Sequence, residues 1–270
     1  MRAGVRPLLV LHSVPRLRDE LRRIDPHTYS YHEVGSWSEL AEEIAAVPPS
    51  ALVVVDPYHP DTAGEGLAPE LRSVLVDFPS IPVFAVMEVR PGRRDDLRML
   101  GTWGVAEVIA LGHDDTPAAL RLRFREAAGR PLKTLLAGAL PRDLSMRART
   151  LVEAAAEAVT IAGDAREMAR RVGVSRRTLL RWSKDAELPP PRRLLAWMRI
   201  LLAAELLDDP GRSVRHVAEA CGYSSDSGLR RVMQAFVGTN PTALRRKGAF
   251  ARASRIFLEQ MARARGTRNE

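Results

Sequence analysis

The sequence predicts a two-part chain. Its first half is α/β, built on a five-stranded parallel sheet, and its second half is all-α with two helix-turn-helix units. Three observations lead there. In the first half, short apolar runs alternate five times with helical patterns. In the second half, a helix, a Gly turn and a second helix with a basic outer face occur twice, 49 residues apart. Charge is also divided unevenly: residues 1–135 hold 16 Lys/Arg and 19 Asp/Glu, while residues 136–270 hold 25 and 14. The overall +8 is therefore −3 in the first half and +11 in the second. Such an asymmetry marks a polyanion-binding module attached to a neutral or acidic domain. A bias toward arginine explains why Lys133, Lys184 and Lys247 are the only lysines, but not the contrast between halves.

Taken in order, the strands expected are Pro7–His12, Tyr29–Val34, Ala51–Asp56, Ile81–Val89 and Ala106–Leu111. Arg16–Ile24, Trp37–Val47, Leu67–Phe78, Gly92–Thr102 and Thr116–Ala128 read as helices between and after them. In such sheets ligands and chemistry collect at the carboxyl ends of the strands. Asp56, His59 and Asp61 could ligate a metal, but a Pro-rich polar loop is the simpler expectation. His113, Asp114 and Asp115 read as a turn and N-cap ahead of Thr116. Arg93-Arg94-Asp95-Asp96 reads as a solvated helix face.

Arg130–Arg142, with Pro131, Gly138 and Pro141, marks the domain boundary. The expected division is 1–130, a linker over 131–144, a DNA-binding module over 145–248 and a basic helical tail over 249–270. Ser145–Val159 and Ala165–Val172 read as helices, and Gly173-Val174-Ser175 turns the chain into a helix from Arg176 to Lys184. There Leu179 and Trp182 face inward, while Arg177, Leu180, Arg181 and Lys184 face out beside Arg176. Arg192–Leu207 is apolar on most of its circumference and reads as a buried connecting helix, with Trp197 and Met198 in the core.

The second unit has Val214, Val217, Ala218 and Cys221 on an inward stripe ending at Gly222, with Cys221 expected as a small core residue. In the helix that follows, Leu229, Val232, Met233 and Phe236 face inward. Ser227, Arg230, Arg231 and Gln234 form the opposite face, with Asp226 either capping the helix or accepting from a cytosine amine. Arg245-Arg246-Lys247 is expected to touch phosphate or stay solvated. Ala249–Arg265 carries Phe250, Ala253, Phe257 and Met261 on one side and is expected to pack as an extra helix.

The segment Gly222–Pro241 resembles the AraC/XylS family of bacterial transcription regulators. Gly222, Tyr223, Leu229, Arg231, Gly238 and Pro241 stand at that family's signature spacing. The departures are Gly228 and Leu229 where two aromatics are usual, Met233 for a Phe and Gln234 for a basic residue. The resemblance implies two helix-turn-helix units. The first half, in order and size, looks like a response-regulator receiver, a flavodoxin-like sheet, with Asp56 where that family's phospho-acceptor stands. The remaining receiver chemistry does not carry over. His12 and Ser13 stand where an acidic pair would hold Mg²⁺, Met87 and Glu88 where a Ser/Thr is usual, and Gly112 and His113 where a Lys follows. One carboxylate is a poor Mg²⁺ site, so the candidate phospho-acceptor Asp56 is expected instead to cap a turn before Pro57.

No run of about 18 apolar residues appears. The start, MRAGVRPLLVLHS, reads as a first strand rather than a signal peptide. A single cysteine fits a reducing compartment. No Gly-rich phosphate loop, Walker, HExxH or G-x-S-x-G motif is present, so neither an enzyme nor a cofactor is expected. The expected function is a sequence-specific transcription regulator associated with the nucleoid in the cytoplasm. Its expected partners are double-stranded DNA, RNA polymerase and a second copy through the N-terminal domain, with no membrane. That domain could be a degenerate receiver, a small-molecule sensor or a phosphorylation switch. A nucleoid-type architectural protein is the competing reading of the whole.

Overall fold

In the computed structural model the described residues are 5–266, apart from 49, 60–65, 90, 91, 128–135, 137–139, 141–143, 161, 162 and 247. The chain divides into two units: Met1–Ala128 with Asp209–Arg212, and Gly129–Asp208 with Ser213–Glu270.

The first unit follows from its apolar runs. β1 (Arg6–Leu11), β2 (Tyr29–Glu33), β3 (Leu52–Val55), β4 (Val83–Met87) and β5 (Glu107–Ala110) form one sheet in the order β2-β1-β3-β4-β5. Every neighbouring pair is parallel, with Leu9 opposite His32 on one side and Val53 on the other. β3 and β4 are buried along their whole length, as central strands covered on both faces must be. Side-chain alternation sends Leu8, Val10, Val54 and Phe84 to a core with α1 (Pro15–Arg22) and α5 (Pro117–Ala127). Leu9, Leu11, Val53 and Val55 point to the opposite core, with α2 (Trp37–Ala46), α3 (Pro69–Asp77) and α4 (Arg94–Trp103). The result is the doubly wound arrangement the alternating pattern predicts.

Within this unit Arg212 is 1% exposed. It donates to the carbonyls of Ala45 and Val47 and to Asp209, each at 3.0 Å. Asp209 also accepts from the amide and hydroxyl of Ser80.

The second unit is all-helical among the described residues: α6 (Met146–Thr160), α7 (Ala165–Val172), α8 (Arg176–Asp185), α9 (Pro191–Leu207), α10 (Val214–Ala220), α11 (Asp226–Val237), α12 (Pro241–Arg245) and α13 (Ala249–Gly266). α9 starts at Pro191, a residue suited to a first helical turn. It buries thirteen residues and packs against each of the other seven helices. Trp197 and Phe236 of α11 meet edge to face, ring centres 5.1 Å apart, and the same indole lies 5.5 Å from Phe257 of α13. α13 is thus the packed extra helix, with Ala253, Phe257 and Met261 in the core.

The tail of α9 is clamped by residues of later helices. Arg245 is half-buried and donates through Nε to the carbonyl of Leu207 at 2.7 Å, so it closes a helix end. A guanidinium there meets carbonyls that the helix itself leaves unpaired. Asp208 accepts from the amides of Ala249 and Phe250 and so caps α13. In the first unit the cap of α5 is Thr116, whose hydroxyl accepts from Ala119, because Pro117 begins the helix one residue later than the aspartates could serve. Among the described residues no helix is long and apolar enough to cross a membrane.

Helices α7–α8 and α10–α11 are joined by turns that repeat bond for bond. Val174 donates to Ala169 and Tyr223 to Ala218, while Gly173 donates to Arg170 and Gly222 to Glu219. Gly173 and Gly222 sit at φ +72° and +75°. An added Cβ would meet nothing within 4 Å at either place, so the cost of a side chain there is purely conformational. Gly222→Ala is expected to lower unfolding free energy by about 1 kcal/mol and Gly222→Asn by less, since Asn tolerates the left-handed region; denaturant titration of both variants measures the difference.

Candidate nucleic-acid interface

The two outward helix faces follow from where the glycine turns leave the chain. Ser175 caps α8 by accepting from Thr178, and Ser225 caps α11 by accepting from Gly228. Leu179 and Ser183 then face the core on α8, as do Leu229, Met233 and Val237 on α11. The opposite face of α8 exposes Arg176, Arg177, Leu180, Arg181 and Lys184. That of α11 exposes Ser227, Arg230, Arg231 and Gln234. Every residue expected on a recognition face is therefore exposed, save Asp226, which is half-buried.

Asp226 is neither the cap nor unattached. Ser225 takes the cap, and Asp226 accepts from Arg230 Nε at 3.4 Å one turn on. Its charge also sits in the first turn, where the helix dipole favours it. By contrast Arg177, Arg181 and Arg231 enter no ion pair or hydrogen bond among the described residues. Cys221 is half-buried rather than sealed in the core, because it falls at the C-cap of α10 where the helix is turning away. Of the Arg245–Lys247 triplet, Arg246 is exposed and Lys247 lies outside the described residues.

The first unit carries a concave feature at the carboxyl ends of its strands, a cleft of about 310 Å³. It brings together His12, Asp56, Tyr58, Met87, Glu88 and Arg93. Asp56 caps the turn that follows it: Oδ1 accepts from the Tyr58 amide at 2.9 Å and Oδ2 from the Ser13 hydroxyl at 3.2 Å. Arg93 and Asp96 do not form the solvated face the sequence suggested. The Arg93 guanidinium stacks 4.8 Å over the Tyr58 ring, and Asp96 accepts the Tyr58 hydroxyl at 2.6 Å. Burial, helped by that bond to Asp96, pushes Tyr58 up to about 12. Arg94 and Asp95 remain exposed, since α4 turns them away from the strand ends. No three His, Cys, Asp or Glu among the described residues stand together as a metal site, and Asp61 lies outside those residues.

His12 is buried at the floor of this cleft. Its Nδ1 accepts from the Val14 amide at 3.1 Å, which requires the proton on Nε2, and Nε2 donates to the Val86 carbonyl at 3.0 Å. A neutral imidazole thus ties the end of β1 to β4. A strand-end His gives no sequence signal for this, since Val86 lies 74 residues away.

Residues 168–247 match the family described as Helix-turn-helix domain, of AraC type. The protein is accordingly a DNA-binding transcription regulator, with an AraC-type helix-turn-helix domain beside a receiver-like α/β domain. No curated protein matches the chain. Two solved structures are similar at a distance. Full-length FixJ from B. japonicum is 15% identical, over 84% of this chain and 95% of that one, with a TM-score of 0.34. The response regulator StyR is 13% identical over 71% and 96%, also with a TM-score of 0.34. The receiver-like character of the first unit rests on its own strand order and helix placement.

Burial lowers the pKa of His12 below its ordinary value of 6.5, outweighing the Val86 bond that supports the charged form. Below that ordinary value the unfolded chain takes up a proton that the folded unit resists, so stability falls as pH drops through this range. His12→Gln is expected to weaken the pH dependence of melting below about pH 6.5; an unchanged slope would show that His12 is not its source.

Proposed function

We propose that this protein is a sequence-specific transcription regulator whose two helix pairs read adjacent major-groove segments of one duplex. The carrying observation is the matched outer faces: Arg177 and Arg181 on α8 and Arg231 on α11 are exposed after equivalent glycine turns and held by no acid among the described residues. An arginine whose fork is not already occupied can bind guanine O6 and N7 together, which discriminates by about 1–3 kcal/mol per base pair. Ser227 and Gln234 offer a hydroxyl and an amide to base edges on the second face. Arg230 has to exchange its bond to Asp226 for one to DNA, so it contributes less than Arg231. Arg176 and Lys184, at the ends of the first face, serve phosphates and make affinity salt-sensitive.

Because α9 packs on both pairs, it would hold the two faces at a fixed spacing, near one helical turn of DNA, about 34 Å. The DNA-binding module is residues 145–248, joined through 131–144 to a pseudo-receiver over 1–130 that serves regulation or dimerisation, with 249–270 as a basic C-terminal helix and tail. RNA polymerase is the partner a promoter-bound regulator of this kind would engage, at the nucleoid in the cytoplasm. The Ser13 and Tyr58 donors already on Asp56 support its reading as a turn-capping carboxylate.

Base-reading and phosphate-holding arginines should separate on mutation. Arg231→Ala is expected to weaken binding to a selected site by about 1–3 kcal/mol while largely sparing random DNA, whereas Arg176→Ala should weaken both alike and reduce the salt slope by about one. Fluorescence anisotropy over a salt series measures this; equal losses on both DNAs for Arg231→Ala would contradict its assignment.

A further inference from the structure

Leu180 does not fit the polar chemistry of the face it occupies. It is 54% exposed at the middle of α8, with Arg177 one turn before it, Lys184 one turn after it and Arg181 beside it. Among the described residues of the second unit the only other large apolar side chain this exposed is Met146, on α6. Leu180 also lines a recess of about 500 Å³, together with Arg177, Arg181, Lys184, Leu188 and Pro190. A branched aliphatic group left in water among three cations gains nothing in the free protein. It gains when an anionic surface meets the cations and brings an apolar patch to the same spot.

The major groove offers one methyl group along its base edges, the C5-methyl of thymine, set among hydrogen-bond donors and acceptors. Leucine has no polar atom to pair with those. We propose that Leu180 is a specificity residue that reads the methyl group of a thymine in the DNA element bound by α7–α8, next to a guanine read by Arg177 or Arg181. This rests on the sequence-specific reading proposed above and adds to it a named base for the first helix pair. The second pair carries no counterpart, because the exposed residues of α11 at matching spacing are Ser227, Arg230, Arg231 and Gln234.

The test uses the full-length protein and a duplex that it selects, with each thymine replaced in turn by deoxyuridine, which lacks only the methyl. Wild type is expected to lose about fourfold in affinity at one thymine of one element, the worth of a single buried methyl-sized group. Leu180→Ala should bind the thymine and deoxyuridine duplexes equally, and Leu180→Met, still apolar and of similar reach, should keep the preference. Melting curves of both variants matching wild type keep a folding defect from imitating the result. Indifference of the wild type to deoxyuridine at every position, with site-specific binding intact, overturns the proposal alone, as does a preference that survives in Leu180→Ala. Absence of any site-specific binding by the wild type overturns the underlying DNA reading, and the proposal with it.

Discussion

The second unit depends on one constraint: α9 has almost no face to give to water. Thirteen of its side chains are buried, and the helix packs on every other described helix of the unit. The inner stripes of α8 and α11 therefore meet the same central rod, directly through pairs such as Trp197 and Phe236. Interiors are close-packed and deform little, so the outer faces of both helices are indexed to that rod. The end of the rod is also fixed, with Arg245 donating to the Leu207 carbonyl and Asp208 capping the helix that follows α12. The two outer faces are left with guanidiniums, an ammonium, a hydroxyl and an amide, and with one leucine among them.

The glycine turns decide which way those faces look. Each turn reverses the chain within a few residues, because a residue in the left-handed region lets the first helix stop and the next start at once. The bonds made there, Val174 to Ala169 and Tyr223 to Ala218, are the same bond 49 residues apart. The half-buried side chains of Val174 and Tyr223 then pack on the core and fix the angle of departure.

Much of this could be read from residue order. Short apolar runs bounded by turn signals read as covered strands, and a helix apolar on most of its circumference reads as a buried one. The turns were legible because a glycine between two amphipathic stripes has few other uses. Most of the missed features share a different cause: they are made by residues far apart in sequence. Arg245 reads from sequence as a residue that touches phosphate or stays solvated, with no sign there of its partner, the carbonyl of Leu207. Arg93 and Asp96 looked solvated because nothing in their own helix pattern announces the Tyr58 ring. At Thr116 the error was one residue of phase, settled by where Pro117 lets a helix begin. The strand-end cleft was foreseen as a place, from the strand order alone. Its furnishing, with a neutral His12 bonded to Val86, needed the fold.

The central claim is that two indexed basic faces read one DNA site together. The most direct measurement is selection of genomic fragments by the full-length protein near physiological salt, followed by sequencing of what is retained. A two-faced reader predicts a small set of fragments sharing two short elements about 10 base pairs apart, one turn of the duplex. Diffuse retention of fragments without common elements would contradict it and leave a protein that binds DNA for its charge and shape alone.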